Sequence, residues 1–145
     1  MSATSDPNNP IRITVTEAPG GRKLASSGSK WEPTMGYSRA VRVGNTIAVT
    51  GTVGINADGS YSLSMEQQAR RALQIVLAAV TALGGKPEHI VRTRMFVTDV
   101  KRWEEVAKAH GQIFARIRPA TSILEVARLI DDAALIEIEA DAIVP

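Results

Sequence analysis

The chain has 145 residues, 44% of them hydrophobic and 22% charged, with a formal net charge of +2 and no cysteine. That is enough apolar material for one domain with one core, and it excludes a disulfide framework, a thiol nucleophile and a thiolate metal site. Lysine and arginine form no block, so the sequence pI of about 9.2 does not imply a dedicated surface for nucleic acid.

Residues 1–10, M-S-A-T-S-D-P-N-N-P, have no apolar patterning and read as a disordered tail ahead of a single domain over 11–145. They lack a basic segment followed by an apolar run, so they are not read as a signal peptide. Ile11, Ile13 and Val15 alternate with polar residues, which predicts a short strand. Residues 18–30 are rich in Gly and Ser and predict a loop, with Trp31 as its anchor to the body. Tyr37–Val43 and Thr46–Val53 alternate with a period of two around Gly44-Asn45, a hairpin signal. Ser64 with Gln67 fits a capping box. It opens a helix whose buried face holds Ala69, Ala72, Leu73, Val76, Ala79, Val80 and Leu83, closed by Gly84-Gly85. The longest apolar run, Ile75 to Val80, is too short to cross a bilayer. The cytoplasm is the expected location.

His89–Thr98 predicts a strand with Val91, Thr93, Met95 and Val97 on one face and Ile90, Arg92, Arg94 and Phe96 on the other. Thr98 or Asp99 caps a second helix, Val100–Ile117, whose stripe is Trp103, Val106, Ala107, His110, Ile113, Phe114 and Ile117. Pro119 marks the return to strand. Two alternating stretches, from Thr121 to Leu129 and from Leu135 to Ala142, predict a closing hairpin with a tight turn at Asp131-Asp132. Glu137, Glu139 and Asp141 share one face of its second strand. Three acids are costly to bury alone, so they face water, a ligand or a basic partner such as Arg92 and Arg94. The pattern is α+β, a sheet with two helices on one face. The other face is expected to carry Thr50, Thr52, Arg92, Arg94, Thr121, Glu125, Glu137 and Glu139 among Ala48, Ile90, Phe96, Ile123 and Leu135. That mixture is too apolar to be simply solvated and predicts a subunit interface in a closed homo-oligomer.

Four segments, G-Y-S-R-A-V-R-V-G-N-T-I-A-V-T-G-T, V-R-T-R-M-F-V-T-D, R-P-A-T-S-I-L-E-V-A-R-L and I-E-I-E-A-D-A-I-V, together resemble the RidA/YjgF family over about Tyr37–Val144. The stretch G-S-K-W-E-P before them looks like a divergent branch of it. The resemblance implies a chorismate-mutase-like fold, a mixed sheet assembled as a homotrimer, with three equivalent clefts between subunits. It implies a cofactor-free activity, the hydrolysis of 2-aminoacrylate-type enamines or imines to 2-keto acids and ammonia. Tyr37 matches the family's cleft tyrosine, Thr50 its cleft serine and Glu137 the last-strand acid that positions water. Thr121 stands where the family has a carboxylate-binding arginine, Ile123 where it has a small residue, Ala107 where it has an asparagine and His110 where it has a tyrosine. Arginine grips a carboxylate by two charge-assisted hydrogen bonds and threonine offers one neutral donor. Losing that grip removes about 2–5 kcal/mol of binding.

The candidate site therefore has Glu137 as its catalytic group and Tyr37, Thr50, Gly51, Thr52, Arg94, His110, Thr121, Ile123 and Glu139 as ligand contacts. Arg94 is read either as a replacement cation for the one missing at Thr121 or as one half of a salt bridge with Glu125, Glu137 or Glu139. His110 is read either as a core residue or as a cleft residue able to titrate near neutrality. Neither histidine has metal-ligand spacing, so no metal is expected. The expected function is binding of a small metabolite, a carboxylate among the options, in inter-subunit clefts. Any catalysis would hydrolyse an enamine or imine to a ketone or keto acid and ammonia, without efficient turnover of 2-aminoacrylate. The alternative is a non-catalytic metabolite-binding or protein-interaction module. No partner beyond the chain itself and a small molecule is expected, neither nucleic acid nor membrane. An endoribonuclease finds no His pair, basic groove or exposed stacking aromatics, and a chorismate mutase rests on fold likeness alone.

Overall fold

The computed structural model describes residues 6–145. The predicted tail thus falls partly outside the described residues. Of the remainder, the Asn9 carbonyl accepts from Arg71 Nη1 at 2.8 Å and the Pro10 carbonyl from Arg71 Nη2 at 3.3 Å.

One seven-stranded sheet runs in the order β1-β2-β3-β4-β7-β5-β6. Its strands are β1 (Thr14–Ala18), β2 (Arg22–Ser26), β3 (Ala40–Val43), β4 (Thr46–Val53), β5 (Ile90–Val97), β6 (Ala120–Glu125) and β7 (Ile136–Ile143). The β5–β6 pair is parallel and every other pair is antiparallel. Two long helices, α2 (Met65–Ala82) and α3 (Trp103–Phe114), pack on each other, and a short α1 (Trp31–Met35) precedes β3.

The core forms where apolar periodicities meet. Ser64 Oγ accepts from the Gln67 amide at 3.2 Å and starts α2. The small residues Ala69, Ala72 and Ala79 let the helix approach the sheet, and Leu73, Val76 and Val80 fill the gap without exposure. They meet Ile47, Val49, Met95, Val97, Ile136, Ile138, Ala140 and Ala142 from the central strands. Each large buried side chain contributes about 1.5–3 kcal/mol. Gln68 is buried too, and it pins the segment before β7. Its Nε2 donates to the carbonyls of Ser62 (2.7 Å) and Ala133 (3.0 Å), and its Oε1 accepts from the Leu135 amide at 2.8 Å.

The structure corrects five expectations about the elements. The predicted C-terminal hairpin is not one, because β5 lies between β6 and β7 and pairs with both. Asp131 does make a turn, its Oδ1 accepting from the Ala133 amide at 3.1 Å, but inside a long loop between the strands. The predicted loop over 18–30 contains β2, joined to β1 through Gly20 and Gly21, whose φ values of 78° and 71° suit only glycine. The loop's anchor is Glu32, 6% exposed, rather than Trp31, 39% exposed. Lastly, β3 begins at Ala40 and leaves Tyr37 outside the strand, and α3 begins at Trp103 after a 3-10 turn over Val100–Arg102 that Asp99 caps.

Candidate functional site

Two clusters of polar residues lie on opposite faces of the sheet. The first is on the face away from α2 and α3, where Glu137 of β7 is flanked across the ladder by Val53 of β4 and Phe96 of β5. Two apolar neighbours strip water from a carboxylate. Burial accordingly pushes the Glu137 carboxyl above its ordinary value, Arg39 opposes that shift and Glu139 adds to it. No hydrogen bond to this carboxyl occurs among the described residues. Its space is made by Gly51, where an added Cβ would stand 2.0 Å from Glu137 Oε1. Gly51 lies in a register break of β4 between Val49 and Thr52, a bulge that turns the strand around the carboxyl.

Arg39, 6% exposed, frames this cluster. Its Nη1 donates to the Gly51 carbonyl at 2.9 Å and to Thr52 Oγ1 at 3.1 Å, and its Nε to Ser27 Oγ at 3.3 Å. Nη2 donates to the Tyr37 hydroxyl at 3.4 Å, and the guanidinium lies 5.6 Å from the centroid of the Tyr37 ring. Ser27 Oγ in turn donates to Glu32 at 2.9 Å, so the segment before β3 is tied to the site through a buried acid. Tyr61 borders the same region, its hydroxyl pushed up to about 12 by burial first and then by Asp131 and Glu137.

The second cluster is on the helix side. Thr93, 0% exposed, shares hydrogen bonds with His110 Nε2 of α3 at 2.9 Å and with Thr121 Oγ1 of β6 at 2.8 Å. Thr121 Oγ1 also donates to the Pro119 carbonyl at 3.2 Å. Burial holds the His110 imidazole below its ordinary value, which keeps it neutral at neutral pH. Beside these groups opens a groove of about 250 Å³, lined chiefly by Met95, Trp103, Ala107, His110, Thr121 and Ile123.

The candidate residues thus divide. Tyr37, Thr50, Gly51 and Glu137 gather on one side, and His110, Thr121 and Ile123 on the other. Thr121 and Ile123 were expected on the open face. They stand opposite Thr93 and Met95 of β5, which places them with the helices. Thr52 and Ile90 were also expected there, but the register breaks in β4 and β5 turn both into the core. The Thr52 hydroxyl donates to the Thr50 carbonyl at 2.7 Å and is a frame residue. Thr50 donates its own hydroxyl proton to the Ser38 carbonyl at 2.6 Å and offers only lone pairs.

Arg94 does not reach Thr121 within the protomer, because adjacent β5 residues point to opposite faces. It pairs with Glu139 at 2.9 Å and lies 3.6 Å from Asp141. Trp103, placed by periodicity on the buried stripe of α3, is 53% exposed at the groove. Sequence reasoning missed Arg39 and Tyr61 as site residues. The available signal for Arg39 was a lone cation in an otherwise apolar strand repeat, and for Tyr61 there was none. Among the described residues no three His, Cys, Asp or Glu side chains gather as a metal site. No helix of the described residues is long and apolar enough to cross a membrane.

An α+β protein with one helix-covered sheet face and a half-buried acid on the other defines the class. The profile of the family described as Endoribonuclease L-PSP matches residues 28–144. A 2-iminobutanoate/2-iminopropanoate deaminase of Escherichia coli is 37% identical over 111 residues, 74% of this chain and 86% of that one. An uncharacterised protein of Streptomyces coelicolor is 32% identical over 121 residues, 83% of this chain and 90% of that one. A crystal structure of a YjgF/YER057c/UK114-family protein from Mycobacterium tuberculosis superposes with a TM-score of 0.79 at 44% identity, covering 85% of this chain and 99% of that one. TdcF of Escherichia coli, solved with bound serine, gives 0.71 at 28% identity, covering 75% and 88%. The chain belongs to this family, the RidA/YjgF proteins, and has their α+β fold.

Proposed function

We propose that the chain assembles as a homotrimer, binds a small metabolite in clefts between subunits, and there hydrolyses an imine or enamine to a carbonyl compound and ammonia. The observation that carries the reading is the division of the site. Glu137 with its Gly51 seat and the His110–Thr121 groove occupy opposite faces of one sheet. One cleft holds both only where two copies meet. The half-buried apolar residues Val53 and Phe96 on the open face support such a meeting.

In this scheme a water molecule adds to the C=N carbon while Glu137 takes its proton. The same carboxyl gives that proton to the nitrogen, forming a carbinolamine, and then carries the carbinolamine hydroxyl proton to the amino group as the C–N bond breaks, the C=O bond forms and ammonia leaves. A carboxyl whose proton affinity is raised toward neutrality is suited to both transfers. The relative's imine deaminase activity and the serine bound to TdcF support amino- or imino-compound chemistry. No cofactor is needed for it, and the cytoplasm, where such intermediates arise, is the compartment it implies.

A second reading, metabolite binding without catalysis, is favoured by one observation, Thr121 in place of an arginine. Ammonia release distinguishes the two. The substrates are 2-iminopropanoate and a carboxylate-free aldimine, each generated enzymatically in situ. Acceleration over buffer that Glu137→Gln abolishes supports hydrolysis. Rates equal to buffer, with ligand binding intact, leave the non-catalytic reading.

A further inference from the structure

Resting on the reading of the His110–Thr121 groove as one wall of the ligand cleft, we propose that this wall takes an apolar, carboxylate-free group carrying a single N–H donor, which bonds to Thr121 Oγ1. A carbonyl oxygen only accepts, so the bond from Thr121 Oγ1 to the Pro119 carbonyl consumes the one hydroxyl proton of Thr121. In the bond between Thr93 and Thr121, Thr93 must then be the donor. Its proton is thereby consumed as well, so His110 Nε2 must donate to Thr93. All three bonds coexist only with the proton of the neutral imidazole on Nε2.

The consequence is an inverted polarity. Thr121 keeps one lone pair and no proton for a ligand, and the second ring nitrogen of His110 is likewise an acceptor. The rest of the wall is Met95, Trp103, Val106, Ala107, Gly111 and Ile123, and no cation lines it. A carboxylate entering this groove would find at most one neutral donor on this wall, the Trp103 indole N–H, among lone pairs and carbon, too little to replace its water. A flat apolar body with one N–H group meets a matching acceptor, and Trp103 offers an exposed aromatic surface to it.

Three probes of one shape test this: indole, benzofuran (the N–H replaced by oxygen) and indole-2-carboxylate. Binding to the full-length protein is followed by chemical shifts of the Ala107, Gly111 and Ile123 amides and the Ile123 methyl. Indole is expected to move these signals, benzofuran to bind about 3–10-fold more weakly for want of one neutral hydrogen bond, and indole-2-carboxylate roughly 10-fold or more weakly than indole. Thr121→Val, which keeps the side-chain shape, is expected to erase the preference of indole over benzofuran. Thr121→Arg is expected to reverse the order in favour of the carboxylate. Binding of indole-2-carboxylate to the groove as tight as indole, or an indole preference that survives Thr121→Val, overturns the proposal while leaving the cleft reading intact. An absence of groove shifts with all three probes overturns both.

Discussion

Glu137 on β7 stands directly across from Phe96 on β5, whereas the next two acids of the same face, Glu139 and Asp141, stand across from Arg94 and Arg92. The ladder therefore neutralises two of its three acids and isolates the third. Arg94 reaches Glu139 at 2.9 Å, and Arg92 comes within 3.9 Å of Asp141. The exception is the group proposed as catalytic, and a carboxyl opposite a phenyl ring is costly to keep charged.

That cost has a sign in pH. The folded-state affinity of Glu137 for its proton is raised, so the native chain holds more protons than the unfolded one between the ordinary and the raised pKa. Stability falls as pH rises through that window, and the penalty is fully present above it. Glu137→Gln is expected to raise Tm at pH 8 relative to the parent and to leave it unchanged at pH 4, as thermal unfolding at both pH values will show.

Gly51→Ala separates position from fold. The new Cβ collides with the far end of the Glu137 side chain rather than with backbone, so the carboxyl swings away and the strand survives. Stability is expected to fall by about 1 kcal/mol or less, while any Glu137-dependent hydrolysis falls as far as in Glu137→Gln. Urea unfolding and the ammonia assay measure the two effects independently.

Gln68→Leu is expected to cost about 2–4 kcal/mol, because it strands the Ser62 and Ala133 carbonyls and the Leu135 amide beside the core. Hydrogen exchange of the amides just before β7 should accelerate more than that of β4, since the glutamine ties that segment to α2.

The open face is expected to be the trimer contact. Phe96→Asp should give a monomer by sedimentation velocity, because a charge placed there must be desolvated when copies meet. Arg94→Ala should cost no more than about 1 kcal/mol in a protomer, as a half-exposed pair does. A larger effect on association than on protomer unfolding locates the Arg94–Glu139 pair at the contact.

Local patterns were legible in the sequence, and long-range pairing was not. Ser64 capped the helix it predicted, the alternation of β7 identified its buried face, and that of β4 and β5 did so only up to the break in β4 and beyond the break in β5. Period-two patterning says which residues share a face but not which strand lies alongside, so β6 and β7 looked like neighbours although β5 intervenes. The bulge at Gly51 was invisible for a related reason. A register break moves Thr52 to the other face without disturbing the alternation on either side. At the site, the residue types of Glu137 and Thr121 were readable, but their placement on opposite faces was not. Arg39 escaped because its partners Ser27 and Gly51 lie 12 residues away, one on either side in the chain.

The proposed chemistry depends most on Glu137 being a carboxyl with raised proton affinity. A 13C titration of its side-chain carboxyl, assigned by comparison with Glu137→Gln, measures this without any knowledge of the substrate. The structure predicts a midpoint clearly above 4.5, the ordinary glutamate value, which falls toward that value when Phe96 is replaced by a small polar residue. A midpoint at or below 4.5 in the intact protein would contradict the assignment of Glu137 as the group that takes and returns the proton.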